Sequence, residues 1–123
     1  MSLDDVLLDR YARHIVLKEI GGAGQMRLMS AHVTIIGAGG IGCPAIQYLA
    51  GAGVGTIRVI DDDAVDLSNL QRQALFGSED IGTPKAEAAM QAVARLNPHV
   101  KLIPIVQRLD ADNAETLLRH SDV

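Results

Sequence analysis

"VTIIGAGGIGCPAIQYLAGAGVGTIRVID", residues 33–61, runs apolar, then glycine-rich, then apolar again. Val33, Thr34, Ile35 and Ile36 suit a buried strand, because a short β-branched run stopped by glycines has strand length and not helix length. Gly37, Gly39 and Gly42 follow in the spacing G-x-G-x-x-G. Between a strand and a helix, that spacing lets the backbone turn tightly and aims N–H groups and a helix N-terminus at a phosphate. The segment "IGCPAIQYLAGAG" (41–53) reads as the helix, with Pro44 tolerable only in its first turn and Gly51 and Gly53 closing it. "TIRVID" (56–61) is a second strand, and Asp61 ends it where a carboxylate can accept hydrogen bonds from ribose hydroxyls. The loop and the acid serve NAD and an adenylate equally well.

Outward from this unit the alternation continues. Upstream, "DDVLLDRYARHIVLKEI" (4–20) reads as one N-terminal helix, ended by Gly21-Gly22, and "GQMRLMSA" (24–31) as a second, short one. Downstream, Thr83 is the expected N-cap and Pro84 the first helical residue of "PKAEAAMQAVARLN", with Ala86, Met90, Val93 and Leu96 as its apolar stripe. "VKLIPIV" (100–106) is a third strand, and a further helix starts near Asp110 or Asp112. Strand alternating with helix predicts an α/β chain: the first half of a Rossmann-like doubly wound parallel sheet, about three strands, preceded by N-terminal helices. In a 3-2-1-4-5-6 order, strand 1 would then lack its neighbour, and the chain would stop just as a fourth strand begins.

Composition narrows the partners. The chain has 123 residues, a net charge of −4, two tyrosines, one phenylalanine and no tryptophan, so it offers neither a basic groove nor a stacking platform for nucleic acid. No apolar run reaches the length of a membrane span. Cys43 is the only cysteine, which excludes a disulfide framework or a thiolate metal pair within these residues and suits a cytoplasmic setting. A buried thiol packing under the glycine loop accounts for Cys43 without giving it chemistry.

The connection of about 20 residues after the second strand is long unless it has a function. It carries Asn69 and Arg72, and Lys85 arrives on the first turn of the next helix. An arginine fork and a lysine point charge together neutralise polyphosphate, which a dinucleotide site has no need to do. The run "RYARHIVLKEIGGAGQMRL", followed by "GAGGIG", "AGVG", "DDDAVDLSNLQRQ", "GTPKAE" and "LNPH", closely resembles the MoeB/ThiF/HesA family, relatives of the ubiquitin-activating enzymes, from Arg10 to Asp122.

That resemblance implies ATP-dependent adenylation of the C-terminal glycine of a ubiquitin-fold sulfur-carrier protein, of the kind used in molybdopterin or thiamine synthesis. It implies that Gly37, Gly39, Gly40 and Gly42 contact the nucleotide and that Asp61 holds the ribose, with Asp63 beside it. Ser68, Asn69, Leu70, Gln71 and Arg72 would line the site, and Asn69, Arg72 and Lys85 would handle the phosphates. Arg13, in "RYAR", matches an arginine that reaches across a homodimer into the partner's site; without the resemblance it reads as a solvated helix charge. The family pattern continues with a "D-x-x-D-N" acid that helps hold Mg²⁺ and, in many members, paired C-x-x-C motifs for a structural zinc. Neither is in these residues, so the chain is expected to be the N-terminal part of an ATP-binding adenylation domain (1–123), inactive by itself. An NAD(P)- or FAD-binding domain of an oxidoreductase and a non-catalytic dimerisation module are the competing expectations.

Overall fold

Strands β1 (His32–Ile36), β2 (Thr56–Ile60) and β3 (Lys101–Ile105) form one parallel sheet in the order β1-β2-β3. In register, Val33 lies beside Ile57 and Leu102, and Ile35 beside Val59 and Pro104. Those residues share one face, and α4 (Gly42–Ala52) and α5 (Lys85–Leu96) cover it in a single core with Cys43, Ile46, Ala50, Ala86, Ala89 and Val93. The computed structural model describes residues Ser2–Val123.

Helix α4 stops as expected at Gly53, whose φ of 91° makes it a left-handed cap, while Gly51 lies inside the helix. Helix α5 departs from expectation at both ends of the reasoning. Pro84 is extended (ψ 132°) and pairs with Ala64 as an isolated bridge, so the helix begins at Lys85 and Thr83 does not cap it. Its buried face is built from Lys85, Ala86, Ala88, Ala89, Ala92 and Val93, whereas Met90 and Leu96 are exposed. Small side chains let α5 lie close to α4 and the sheet, and close approach wins over side-chain size.

The N-terminal segment forms three helices where two were expected: α1 (Asp5–Arg10), α2 (Ala12–Ile15) and α3 (Gly21–Ser30). Tyr11 breaks the first. It is 2% exposed, and its hydroxyl accepts a hydrogen bond at 2.9 Å from Asn97 Nδ2, which pulls its backbone out of helical geometry (φ −105°, ψ 16°). Gly21, expected as a stop, instead starts α3 with φ of 60°. Gln25, fully buried, ties the segment down: its Oε1 meets His14 Nδ1 at 2.9 Å, and its Nε2 donates to Ala52 O at 2.9 Å. Helix α2 is thereby fixed at the C-terminal end of α4.

The connection from 62 to 84 is packed. Val65, Leu75 and Phe76 are buried, and two 3₁₀ turns, Leu67–Asn69 and Ser78–Asp80, shape it. On the sheet's other face, Arg58 Nη1 donates to the carbonyls of Leu117 (2.9 Å) and Arg119 (3.0 Å), drawing in the end of α6 (Ala114–Leu118). That helix starts later than expected, because Asp110 Oδ1 accepts from the N–H groups of Asp112 and Asn113 and holds a turn there.

The edges differ from each other. Lys101 N–H points inward to Gly55 O, and Ile105 O accepts from Asp61 N–H; by alternation, Pro104 places its missing N–H on the outer edge of β3. At β1, Asp122 N–H donates to His32 O (2.8 Å) and Thr34 N–H to Val123 O (2.9 Å), so the edge expected to be unpaired carries two backbone hydrogen bonds, to Asp122 and Val123.

Candidate functional site

The glycine loop begins where β1 ends, and its glycines divide by task. Gly37 has φ of 93°, and its N–H donates to Ile60 O at 2.8 Å. A Cβ on Gly42 would lie 2.9 Å from the carbonyl carbon of Gly37 and closer still to the oxygen, so this glycine is demanded by the seating of the loop on α4. Gly39 and Gly40 are different: a Cβ on either would meet nothing within 4 Å. Their space opens outward, where a ligand would lie.

The loop's donors face the same way. Among the described residues the N–H groups of Gly39, Gly40 and Ile41 enter no hydrogen bond, and no side chain caps α4. Such a cluster of free donors at a helix N-terminus attracts an anion. Asp61 braces it, with Oδ2 accepting from Ala38 N–H and Oδ1 from Asp63 N–H, each at 2.7 Å. Sequence reasoning gave Asp61 a ribose and missed this clamp; each oxygen keeps a second lone pair for a ligand.

Lys85 is 7% exposed and enters the site from α5, whose start is fixed by Lys85 N–H donating to Asp63 O at 2.9 Å. Its ammonium has no hydrogen-bond or ion-pair partner among the described residues, where Arg119–Glu115 is the single salt bridge. Charged groups this buried are normally paired. The field of Lys85 reaches two neighbours. Burial pushes the Cys43 thiol up to about 11, with Lys85 opposing and Asp61 adding to the rise. The exposed Asp66 carboxyl is held below its ordinary value by the hydroxyl and N–H of Ser68, with Lys85 assisting. Cys43 Sγ lies 3.3 Å from Ala38 O, under the loop as expected.

The "SNLQRQ" segment is a 3₁₀ turn with reciprocal caps. Asp66 accepts from the N–H and hydroxyl of Ser68, and Asn69 Oδ1 accepts from Asp66 N–H at 2.9 Å. That leaves the Asn69 NH₂ group free to donate. Arg72 is exposed and donates from Nη1 to Ser68 O at 3.1 Å, Gln71 is exposed, and Leu70 packs against the core. Gln73, which sequence reasoning passed over, is 3% exposed, and its Oε1 has no partner. Its one signal was its place at the end of the motif.

Backbone hydrogen bonds join the loop, Asp61 and the start of α5 at Lys85, and the Asn69–Arg72 turn is tied through Asn69 to Asp66, whose carboxyl the Lys85 charge also reaches. Arg13 is not part of this group. It is exposed on α2, at the far end of α4, and eleven helical residues span about 16 Å. The carboxylates of Asp61, Asp62 and Asp63 lie within 4.8 Å of one another, but Asp61 is already committed to backbone donors and the other two are exposed. No described helix is long and apolar enough to cross a membrane.

Known proteins share both sequence and fold. Over 123 residues the chain is 52% identical to the SAMP-activating enzyme E1 of Haloferax volcanii, covering 100% of this chain and 46% of that enzyme. It is 47% identical over 117 residues to the molybdopterin-synthase adenylyltransferase of Salmonella typhimurium, covering 95% of this chain and 47% of that one. The Rossmann-like fold recurs in the crystal structure of the E. coli tRNA N6-threonylcarbamoyladenosine dehydratase TcdA in complex with ATP, with a TM-score of 0.90 and 25% identity over 98% of this chain and 49% of that one. The chain thus spans about half the length of the curated relatives it matches. Residues 11–123 match the ThiF family, and the chain belongs to it.

Proposed function

We propose that these residues are the N-terminal part of an ATP-binding adenylation domain, in a cytoplasmic enzyme that activates the C-terminal glycine of a ubiquitin-fold sulfur-carrier protein. The carrier's carboxylate attacks the α-phosphorus of ATP, an acyl-adenylate forms and pyrophosphate leaves. Both reactants are anions, so the first requirement is positive charge that needs no reorganisation when the reaction begins. Lys85 carries the proposal: a side chain on a residue 7% exposed, its ammonium without a hydrogen-bond or ion-pair partner among the described residues and set beside a loop of free N–H donors, supplies a charge that a phosphate chain would match. The open space at Gly39 and Gly40 fits phosphates brought against the backbone. Asp61 would take the ribose with its remaining lone pairs, and the Asn69 amide and Arg72 fork would grip the phosphates from the rim.

Magnesium would add charge neutralisation at the phosphates; its expected ligand belongs to the family pattern beyond these residues, as does structural zinc. The second copy in a homodimer would supply Arg13, which stands too far from the loop of its own chain. Family membership favours this chemistry over hydride transfer on a dinucleotide, which the glycine loop and Asp61 alone would also fit.

The deciding experiment is pyrophosphate exchange into ATP by the full-length protein. Exchange should require a ubiquitin-fold carrier ending in glycine and should vanish when that glycine is deleted. Lys85→Ala should lower kcat by about 10²- to 10³-fold if the ammonium stabilises charge in the transition state; a loss confined to KM would make it a uniform binding residue. Exchange indifferent to the carrier's tail would refute the proposal.

A further inference from the structure

Arg13 stands on a helix too short to hold itself. Helix α2 has four residues, and a single turn is unstable in water because its nucleation cost is not repaid by further bonds. Side chains on either side of Arg13 fix it instead. Tyr11 and His14, three residues apart, are both tied inward, while Arg13 between them is exposed and enters no ion pair among the described residues. The Tyr11 hydroxyl accepts at 2.9 Å from Asn97 Nδ2, which also donates to Ala50 O at 2.9 Å. Gln25 Nε2 donates to Ala52 O at 2.9 Å, which turns its Oε1 toward His14 and makes His14 Nδ1 the donor there. Arg10 adds a third tie, from Nη1 to Leu96 O at 3.2 Å.

These chains of bonds end on carbonyls in the last turns of α4 and α5, where a helix has no intrahelical donors left to offer. Gly53 makes room for two of them at once: a Cβ there would lie 2.6 Å from both Gln25 Nε2 and Tyr11 Cζ. Gln25 and Asn97 are wholly buried amides, and both serve the same short segment. A buried polar network whose members are satisfied specifies one position where apolar packing alone would tolerate several.

We infer that Tyr11, Gln25 and Asn97 are positioning residues, forming a mount that fixes Arg13 in the frame of α4, the helix that carries the glycine loop at its other end. An arginine recognises phosphate through a planar fork, so its direction matters as much as its charge. A misplacement of about 1 Å is enough to cost about 10²-fold in rate. The inference rests on the part that the proposed function gives Arg13, whereas the mount itself is measured without any activity.

In the full-length protein, Tyr11→Phe removes one hydroxyl and keeps the ring packed, and Gln25→Met removes both amide bonds at similar volume. Each should raise amide exchange in the 11–17 peptide by about 10-fold or more in hydrogen-exchange mass spectrometry, with a β2 peptide unchanged. Each should also slow carrier-dependent acyl-adenylate formation by about 10-fold in a single turnover. In an Arg13→Ala background neither should slow it further, whereas a merely structural role would multiply the two losses. The hydroxyl deletion keeps the test decisive if the amide deletion unfolds the protein. Unchanged exchange in the 11–17 peptide would overturn the mount, and multiplied losses would overturn its action through Arg13. A peptide that loosens as expected in a protein with no carrier-dependent adenylation would leave the mount standing and count against the adenylation proposal alone.

Discussion

Replacing the loop glycines one at a time should separate packing from ligand binding. Gly42→Ala pushes a methyl group to 2.9 Å from the Gly37 carbonyl carbon and nearer its oxygen, so the loop must retreat by roughly 1.5 Å to restore van der Waals distance. Retreat is opposed by the Gly37–Ile60 and Ala38–Asp61 hydrogen bonds. Overpacking of a held segment costs about 1–3 kcal/mol, and a clash against backbone belongs near the upper end. An unfolding entropy of about 2.1 cal/mol/K per residue makes 3 kcal/mol a fall in Tm of about 10 °C for a chain of this length. Gly39→Ala and Gly40→Ala meet nothing within 4 Å and have ordinary φ, so stability should hold or rise by a few tenths of a kcal/mol. In exchange, the added methyl occupies the proposed phosphate space. Thermal unfolding by circular dichroism, paired with calorimetric titration of ATP, reads both quantities. A Gly42→Ala variant as stable as wild type, or a Gly39→Ala variant that binds ATP with unchanged affinity, would refute this division.

Full-length Arg13→Ala and Lys85→Ala variants should each be nearly inactive, yet mixing them in equal amounts should restore about a quarter of the wild-type sites, because half the dimers are hybrids with one intact site; no recovery after verified subunit exchange would return Arg13 to its own chain or to solvent. Asp61→Asn turns one acceptor into an NH₂ that faces a backbone donor, and should cost about 2 kcal/mol in urea titration. The Cys43 thiol, raised from 9.0 to about 11, stays protonated in the fold while the unfolded chain ionises, so its effect on stability is absent below pH 9 and grows unfavourable from there to about pH 11. Iodoacetamide should label Cys43 slowly at pH 8 unless the chain is unfolded, and rapid labelling of the folded protein would contradict the burial.

Strands and their order were legible because β-branched runs bounded by glycines admit little else, and the alternation with helices fixed a parallel sheet. The breaks were not. Tyr11 leaves helical geometry for a hydrogen bond to Asn97, 86 residues away, and no local pattern carries such a contact. Pro84 matched a first-turn proline by residue type, but its pairing with Ala64 needed the packed connection in place. At the site, glycine spacing identified the loop without revealing that Gly42 serves packing and Gly39 and Gly40 face open space. Burial supplied what spacing could not: Lys85 was nominated for the phosphates by its place in the chain, but its enclosure appears only once α5 sets it against the core, and Gln73 gave no sign of being enclosed.

Pro104 gives the sheet a direction. A strand arriving at the outside of β3 finds a gap in the row of donors where Pro104 stands, whereas the outside of β1 already holds backbone hydrogen bonds to Asp122 and Val123. Fibrillar growth needs two receptive edges on every unit, one to dock and one to be docked upon. By withholding a hydrogen bond on the outside of β3, Pro104 denies such growth one of those edges and acts as a terminator against polymerisation.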